Sequence, residues 1–197
     1  MKKVVILLAP GFETIEATTP MDVLRRCQIP LVVLSVDGED KHGVMHRDEL
    51  TVTSSHSVSV EADYTLSSAE GKAVISEAEM IILPGGFPGY VNLAKSKEVG
   101  EILKRFEREG KLVGAICGAP TALLANKLFS GSKITCHTSV KEEMIAGGYV
   151  YTGSNVERCG NLITGKGAGL SLEFALECAL ALTDAERVAE VKRKMEL

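Results

Sequence analysis

LVGAICGAPTALLA, residues 112–125, reads as a strand, a sharp corner and the start of a helix. Leu112–Ile116 is an apolar run of strand length, and Thr121–Ala125 has a helix-like composition. Between them Cys117 stands in the frame small-x-Cys-x-small, set by Ala115 and Ala119. That frame suits a nucleophile elbow, where a tight strand-to-helix turn requires small neighbours. Pro120 fits the first helical turn, where its missing N–H removes no bond. The helix start is expected to aim N–H groups and the positive end of its dipole at the sulfur, favouring thiolate. From the corner alone a second reading stays open, a small buried thiol in a tight turn.

The same alternation runs outward in both directions. Val4–Leu8, Leu31–Val36, Met80–Leu83 and Leu162–Thr164 are further apolar strands. Helical patterns occupy residues 13–27, 97–109, 119–126, 139–146, 169–182 and 184–194, the first interrupted or kinked near Pro20. Apolar strands separated by helices predict an α/β, doubly wound, mostly parallel sheet with helices on both faces. Residues 42–61 are polar and rich in Ser, Thr and Val, and are expected as short strands or a hairpin at a sheet edge. No repeat or linker divides the 197 residues, which fit a single domain, 1–197.

Composition narrows the function classes. At 45% hydrophobic residues the chain is globular. A net charge of −4 without a long basic block gives no expectation of a nucleic acid partner. No stretch approaches the roughly 18 apolar residues of a membrane span. Val4–Ala9 after Lys2-Lys3 is too short for a secretory signal and reads as a buried strand. The five cysteines, 27, 117, 136, 159 and 178, form no C-x-x-C and no zinc spacing. A reducing cytoplasm and no metal follow as expectations.

In doubly wound sheets chemistry gathers beyond the carboxyl ends of the strands. Four loops there concentrate Gly and Pro: residues 9–16, 84–89, 117–120 and 165–169. The last lies between a strand and a helix, as a phosphate loop does. It is neither G-x-G-x-x-G nor G-x-x-x-x-G-K-[ST], so a nucleotide-binding module is not expected.

Five stretches, in this order and spacing, carry a resemblance that runs nearly end to end. They are LAPGFETIEATTPMDVLRR (8–26), IILPGGFPG (81–89), GAICGAPTALLA (114–125), SKITCHTSVKEEM (132–144) and LITGKGAGLSLEFAL (162–176). With them the chain resembles the DJ-1/ThiJ/PfpI superfamily, in the branch of the Parkinson-disease-linked protein and its bacterial relatives. The resemblance implies a flavodoxin-like fold and a homodimer. It aligns Cys117 with an oxidisable nucleophilic cysteine and Glu16 with the carboxyl that hydrogen-bonds it. Thiolate beside carboxylate is a like-charge pair, so one partner should hold the proton, and Glu16 can then serve as acid and base. Glu13 reads as a solvated helix charge. Gly85 and Gly86 align with the turn facing the cysteine, and the N–H groups of Gly86 and Gly118 are candidates for an oxyanion hole. His137 aligns with a histidine at a neighbouring strand end and ranks below Glu16 as a base. Arg47 aligns with an arginine that reaches the pocket across the dimer interface.

The departures from the family pattern also bear on function. Gly118 stands where protease and chaperone branches carry His, so an adjacent Cys-His dyad is absent and proteolysis is not expected. Lys166 and Ala168 replace an arginine and a proline of the last glycine loop; lysine keeps the charge and loses the bidentate geometry. His46, before Arg47, is not the usual residue, and is either a second base or a surface histidine. The implied function is a cofactor-free, glutathione-independent enzyme on small reactive aldehydes, of glyoxalase III or deglycase type, turning methylglyoxal into lactate. The alternative is a non-enzymatic sensor of oxidative stress, or protective chaperone, acting through oxidation of Cys117.

Overall fold

A run such as Val4–Leu8 puts apolar side chains on both faces of a pleated strand, so both faces need cover. The computed structural model describes residues 2–197 and supplies that cover. Strands β1 (Lys3–Leu8) and β2 (Leu31–Ser35) are joined by helix α1 (Thr14–Arg26). Two separate ribbons follow: β3 (Gly38–Glu39) with β4 (Met45–His46), then β5 (Thr51–Thr53) with β6 (Ser59–Glu61). The chain returns through β7 (Tyr64–Thr65), α2 (Ala69–Glu77) and β8 (Ala78–Leu83). Helices α3 (Gly89–Lys95) and α4 (Lys97–Arg108) lead to β9 (Leu112–Ile116), and α5 (Thr121–Ala125) follows. A small excursion holds β10 (Lys133–Ile134), α6 (Lys141–Ala146) and β11 (Val150–Tyr151). The last strands are β12 (Val156–Cys159) and β13 (Leu162–Gly165), before α7 (Ser171–Leu182) and α8 (Ala185–Lys194).

Seven strands form the main sheet in the order β12-β13-β9-β8-β1-β2-β7. Every neighbouring pair is parallel except β12–β13. Val5 and Leu7 face a core layer built with Ile75, Leu93, Leu103 and Phe106 of α2, α3 and α4. Val4, Ile6 and Leu8 face the opposite layer, with Val23 and Leu24 of α1 and Phe174 and Cys178 of α7. This is the doubly wound α/β sheet expected from the alternation of apolar strands and helices. No helix among the described residues is long and apolar enough to cross a membrane.

Several local expectations need correction. The first helix runs unbroken through Pro20, although proline has no N–H to give the preceding turn. Residues 42–61 do form short strands, with a hairpin of β5 and β6 and with β4 paired to β3 outside the stretch, but these ribbons do not join the main sheet, whose edge there is β7. Helix α2 lacks a strong apolar stripe; its only buried residues are Gly71 and Ile75, and the Ser68 cap starts it. Helix α3 begins at Gly89, directly after Pro88, within a pair that reads as loop. α5 spans five residues, shorter than residues 119–126.

Candidate active site

Because the central strands are parallel, the loops after β1, β8, β9 and β13 open on one side of the sheet. Cys117 comes directly after β9 with a φ of 63°, the left-handed region. A side chain there costs about 1–2 kcal/mol, so the corner must be held by its surroundings. The Cys117 N–H donates to the Gly165 carbonyl at 2.9 Å, and its own carbonyl accepts from His137 N–H at 2.9 Å. The Ala119 N–H closes the turn onto the Ile116 carbonyl at 3.0 Å. The result is a half-buried sulfur at a strained elbow, presented by the bend.

Glu16 reaches the sulfur from the first turn of α1. The Glu13 side chain caps this helix by accepting the Glu16 N–H at 2.8 Å. Glu13 is therefore a positioning cap, and not the solvated charge that the sequence suggested. The Glu16 side chain is fully buried. Its Oε2 accepts the Gly85 N–H at 2.8 Å, while Oε1 is buried without a hydrogen-bond partner. A Cβ on Gly85 would lie 2.7 Å from both Cys117 Cβ and Glu16 Oε2 and 3.1 Å from Cys117 Sγ. Only glycine leaves room for acid and thiol to meet there. At Gly86, φ is 88° and a Cβ would collide with the backbone of Phe12 and Glu13. The N–H groups of Gly86 and Gly118 lie close enough to the Cys117 sulfur to favour its charged form.

The electrostatics differ from the expectation of a dipole-stabilised thiolate. Burial pushes the Cys117 thiol up to about 12, helped by the Glu16 charge and opposed by the Gly118 and Gly86 N–H groups. Helix α5 has five residues and begins four positions after the cysteine, so its end offers little compensation. Burial also pushes Glu16 up to about 7, against the Gly85 N–H and the contact with Cys117. Such close groups lose their protons as a pair. Between about 7 and about 12 the pair keeps one proton and one negative charge. With the lower value on Glu16 and the higher on Cys117, that proton rests on the sulfur and leaves Glu16 as the carboxylate that can take it up.

The remaining candidates lie further from the thiol. His137 joins the site through its backbone only. Its exposed ring is turned to Ser139, with Nδ1 accepting the Ser139 N–H at 3.2 Å and lying 2.8 Å from Ser139 Oγ. Arg47 is exposed, and among the described residues its side chain makes no hydrogen bond or ion pair within the chain. His46 is tied locally, its Nδ1 3.0 Å from Glu49 and its Nε2 3.5 Å from Asp40. A cavity of about 320 Å³ beside Asp40, His46 and Glu49 does not include Cys117. No cluster that could hold a metal ion occurs among the described residues.

Three neighbours of the site were not legible as such in the sequence. His56 Nδ1 lies 4.0 Å from Glu13 Oε1, brought there by the ribbon of β5 and β6. Tyr90 covers Gly118, where a Cβ would lie 2.7 Å from the ring. Phe87 stands beside Tyr90 with ring centroids 6.3 Å apart. The signal available for the last two is the spacing G-G-F-P-G-Y over residues 85–90, which puts two aromatic rings next to a functional turn.

The DJ-1/PfpI family profile matches residues 2–181. The Parkinson disease protein 7 homolog of Danio rerio is 36% identical over 197 residues, covering 100% of this chain and 97% of that protein. A glutathione-independent glyoxalase of Caenorhabditis elegans, DJR-1.2, is 43% identical over 109 residues, 55% of this chain and 58% of that protein. Among solved structures, Drosophila melanogaster DJ-1beta superposes with a TM-score of 0.87 at 34% identity, covering 100% of this chain and 98% of that one.

Proposed function

Because the chain belongs to the DJ-1/PfpI family and sets a buried carboxyl against its elbow thiol, we propose that it is a cofactor-independent enzyme acting on small reactive carbonyls. The reaction is of glyoxalase III type, methylglyoxal plus water giving lactate, and the same thiol adduct serves deglycase chemistry. Cys117 adds as thiolate to the aldehyde carbon while Glu16 holds the thiol's proton. The N–H groups of Gly86 and Gly118 donate to the hemithioacetal oxygen as charge develops on it. Glu16, having protonated that oxygen, removes the hydrogen of the former aldehyde carbon as a proton to give an enediolate. It returns a proton to the neighbouring carbon, while the hydroxyl proton passes to the former ketone oxygen. A thioester on Cys117 results, and water hydrolyses it to release the hydroxy acid and the thiol. Oxidant and metal are not consumed in this sequence.

The observation that carries the reading is the buried Glu16 carboxyl, with Oε1 unpartnered, beside a half-buried sulfur that two N–H groups address. Lactate formation from methylglyoxal, without glutathione and with a chelator present, tests it. The expected rate rises as pH passes about 7, where the pair loses its first proton. Glu16→Gln should lower kcat/KM by at least about 100-fold, the usual contribution of a general acid–base. Full activity in Cys117→Ser would end the proposal.

The donors around the sulfur also favour a second reading, in which Cys117 is oxidised and held as sulfinate. Mild peroxide should then add two oxygens at Cys117 selectively, and equal oxidation of all five cysteines would count against it. A homodimer and a cytoplasmic location complete the proposal. The five free cysteines suit a reducing compartment.

A further inference from the structure

Tyr90 touches both glycines whose N–H groups lie close to the Cys117 sulfur. Its own N–H donates to the Gly86 carbonyl at 2.9 Å, which joins the first turn of α3 to the glycine turn after β8. Its ring lies on Gly118, where a Cβ would come within 2.7 Å of Cγ and Cδ1. The φ of Gly118 lies outside the left-handed region, so the ring, and not the backbone conformation, is what requires glycine there. Two hydrogen bonds hold the carbonyls on either side of the Gly118 N–H. The Cys117 carbonyl accepts the His137 N–H at 2.9 Å, and the Gly118 carbonyl accepts the Thr121 hydroxyl at 2.7 Å. The ring fills the space beside the Gly118 Cα into which this freest of residues would otherwise turn. It is itself packed against the core and against Phe87, at a tilt of 57°.

We propose that Tyr90 is a positioning residue of the oxyanion hole, one that keeps the Gly86 and Gly118 N–H groups aimed at the oxygen of the adduct on Cys117. The inference rests on the carbonyl chemistry proposed above and adds a residue that acts through the two donors without touching substrate. Such donors stabilise developing charge because they need not turn during the reaction. Removing one costs about 100-fold or more in kcat, so loosening one should cost at least about 10-fold.

The test measures kcat and KM for methylglyoxal in Tyr90→Phe, Tyr90→Ala, Gly118→Ala and the double variant Tyr90→Ala/Gly118→Ala. Tyr90→Ala should lower kcat at least about 10-fold and leave KM within about two-fold, because the donors act on charge present only in the transition state. Tyr90→Phe keeps the ring and should retain kcat. Gly118→Ala collides with the ring and should lose activity, which the double variant should partly restore by removing the collision. Full kcat in Tyr90→Ala, an equal loss in Tyr90→Phe, or a double variant no better than Gly118→Ala overturns the role. A second measurement requires no turnover: isotope-edited infrared spectroscopy of Cys117 acetylated as a thioester. Aligned donors lower the carbonyl stretch, so Tyr90→Ala should move the band to higher wavenumber and Tyr90→Phe should not. That shift in a protein that turns over no methylglyoxal defeats only the proposed reaction. Turnover with neither kcat nor the band altered in Tyr90→Ala defeats only the part assigned to Tyr90.

Discussion

Glu16 titrates at 4.5 in a solvated chain and at about 7 in the folded protein, because burial disfavours its charge. A carboxyl whose folded value is raised stabilises the fold relative to its ionised form while it is protonated. That contribution is complete below 4.5 and is lost as pH rises through about 7. The difference corresponds to about 3 kcal/mol at full ionisation. Glu16→Gln keeps an oxygen for the Gly85 N–H and removes the titration. The variant should therefore gain up to about 3 kcal/mol on wild type between pH 4 and pH 8, as read by urea unfolding at the two values. An identical stability difference at both pH values would mean that Glu16 does not hold its proton in the fold. The identity of this acid and its cysteine was legible in the sequence, since the motif stretches fix both. Their titration was not, because it follows from burial in the tertiary structure. For the same reason the sequence suggested a thiolate where the folded environment keeps a shared proton. His46 and His137 show the limit from the other side: residue type alone did not reveal that their rings are engaged by Glu49 and Ser139.

At the scale of elements, the acid–thiol contact depends on two loops that pack backbone on backbone. The Glu13 N–H donates to the Gly85 carbonyl at 2.8 Å, which joins the start of α1 to the turn after β8. A methyl group at Gly86 meets main-chain atoms of Phe12 and Glu13, which cannot swing away as a flexible side chain would. Gly86→Ala should thus cost about 1–3 kcal/mol in backbone strain. For a chain of this size that is a fall in Tm of roughly 2–12 °C, with loss of activity as Glu16 is displaced. A thermal melt and an assay at wild-type level would show that the loops are not coupled in this way. The strands around these loops were readable because β1, β8 and β9 are continuous apolar runs that can only be buried on both faces. β12, the sequence Val-Glu-Arg-Cys, has no such run, and only its pairing with β13 makes it a strand. The two ribbons were half legible: their composition indicated strands, but composition does not name a partner.

For the whole molecule, the open question is what lies against the ribbons. They pack on the site's own loop, where Gly11 N–H donates to Thr53 carbonyl at 2.8 Å and Ser55 N–H to Phe12 carbonyl at 2.9 Å. Their outer residues Val44, Met45, Leu50 and Val58, with Ile15 of α1, are each at least 40% exposed. Single exposed apolar residues are ordinary, but this concentration around one part of the fold is what an interface requires. A second copy of the chain is the occupant in the proposed homodimer, and pairing would give Arg47 a role that it lacks within one chain. Light scattering should then report twice the 21.0 kDa chain mass. Met45→Glu combined with Val44→Lys should shift the particle to a single chain. If Arg47 completes the partner's site, Arg47→Ala should lower kcat/KM about ten-fold while the doubled mass is kept, in the range of a lost charge-assisted hydrogen bond. The monomeric variant should show the same loss. A wild-type chain that is fully active at the mass of one copy would remove both the dimer and the part assigned to Arg47, and leave the Glu16–Cys117 pair to act within a single chain.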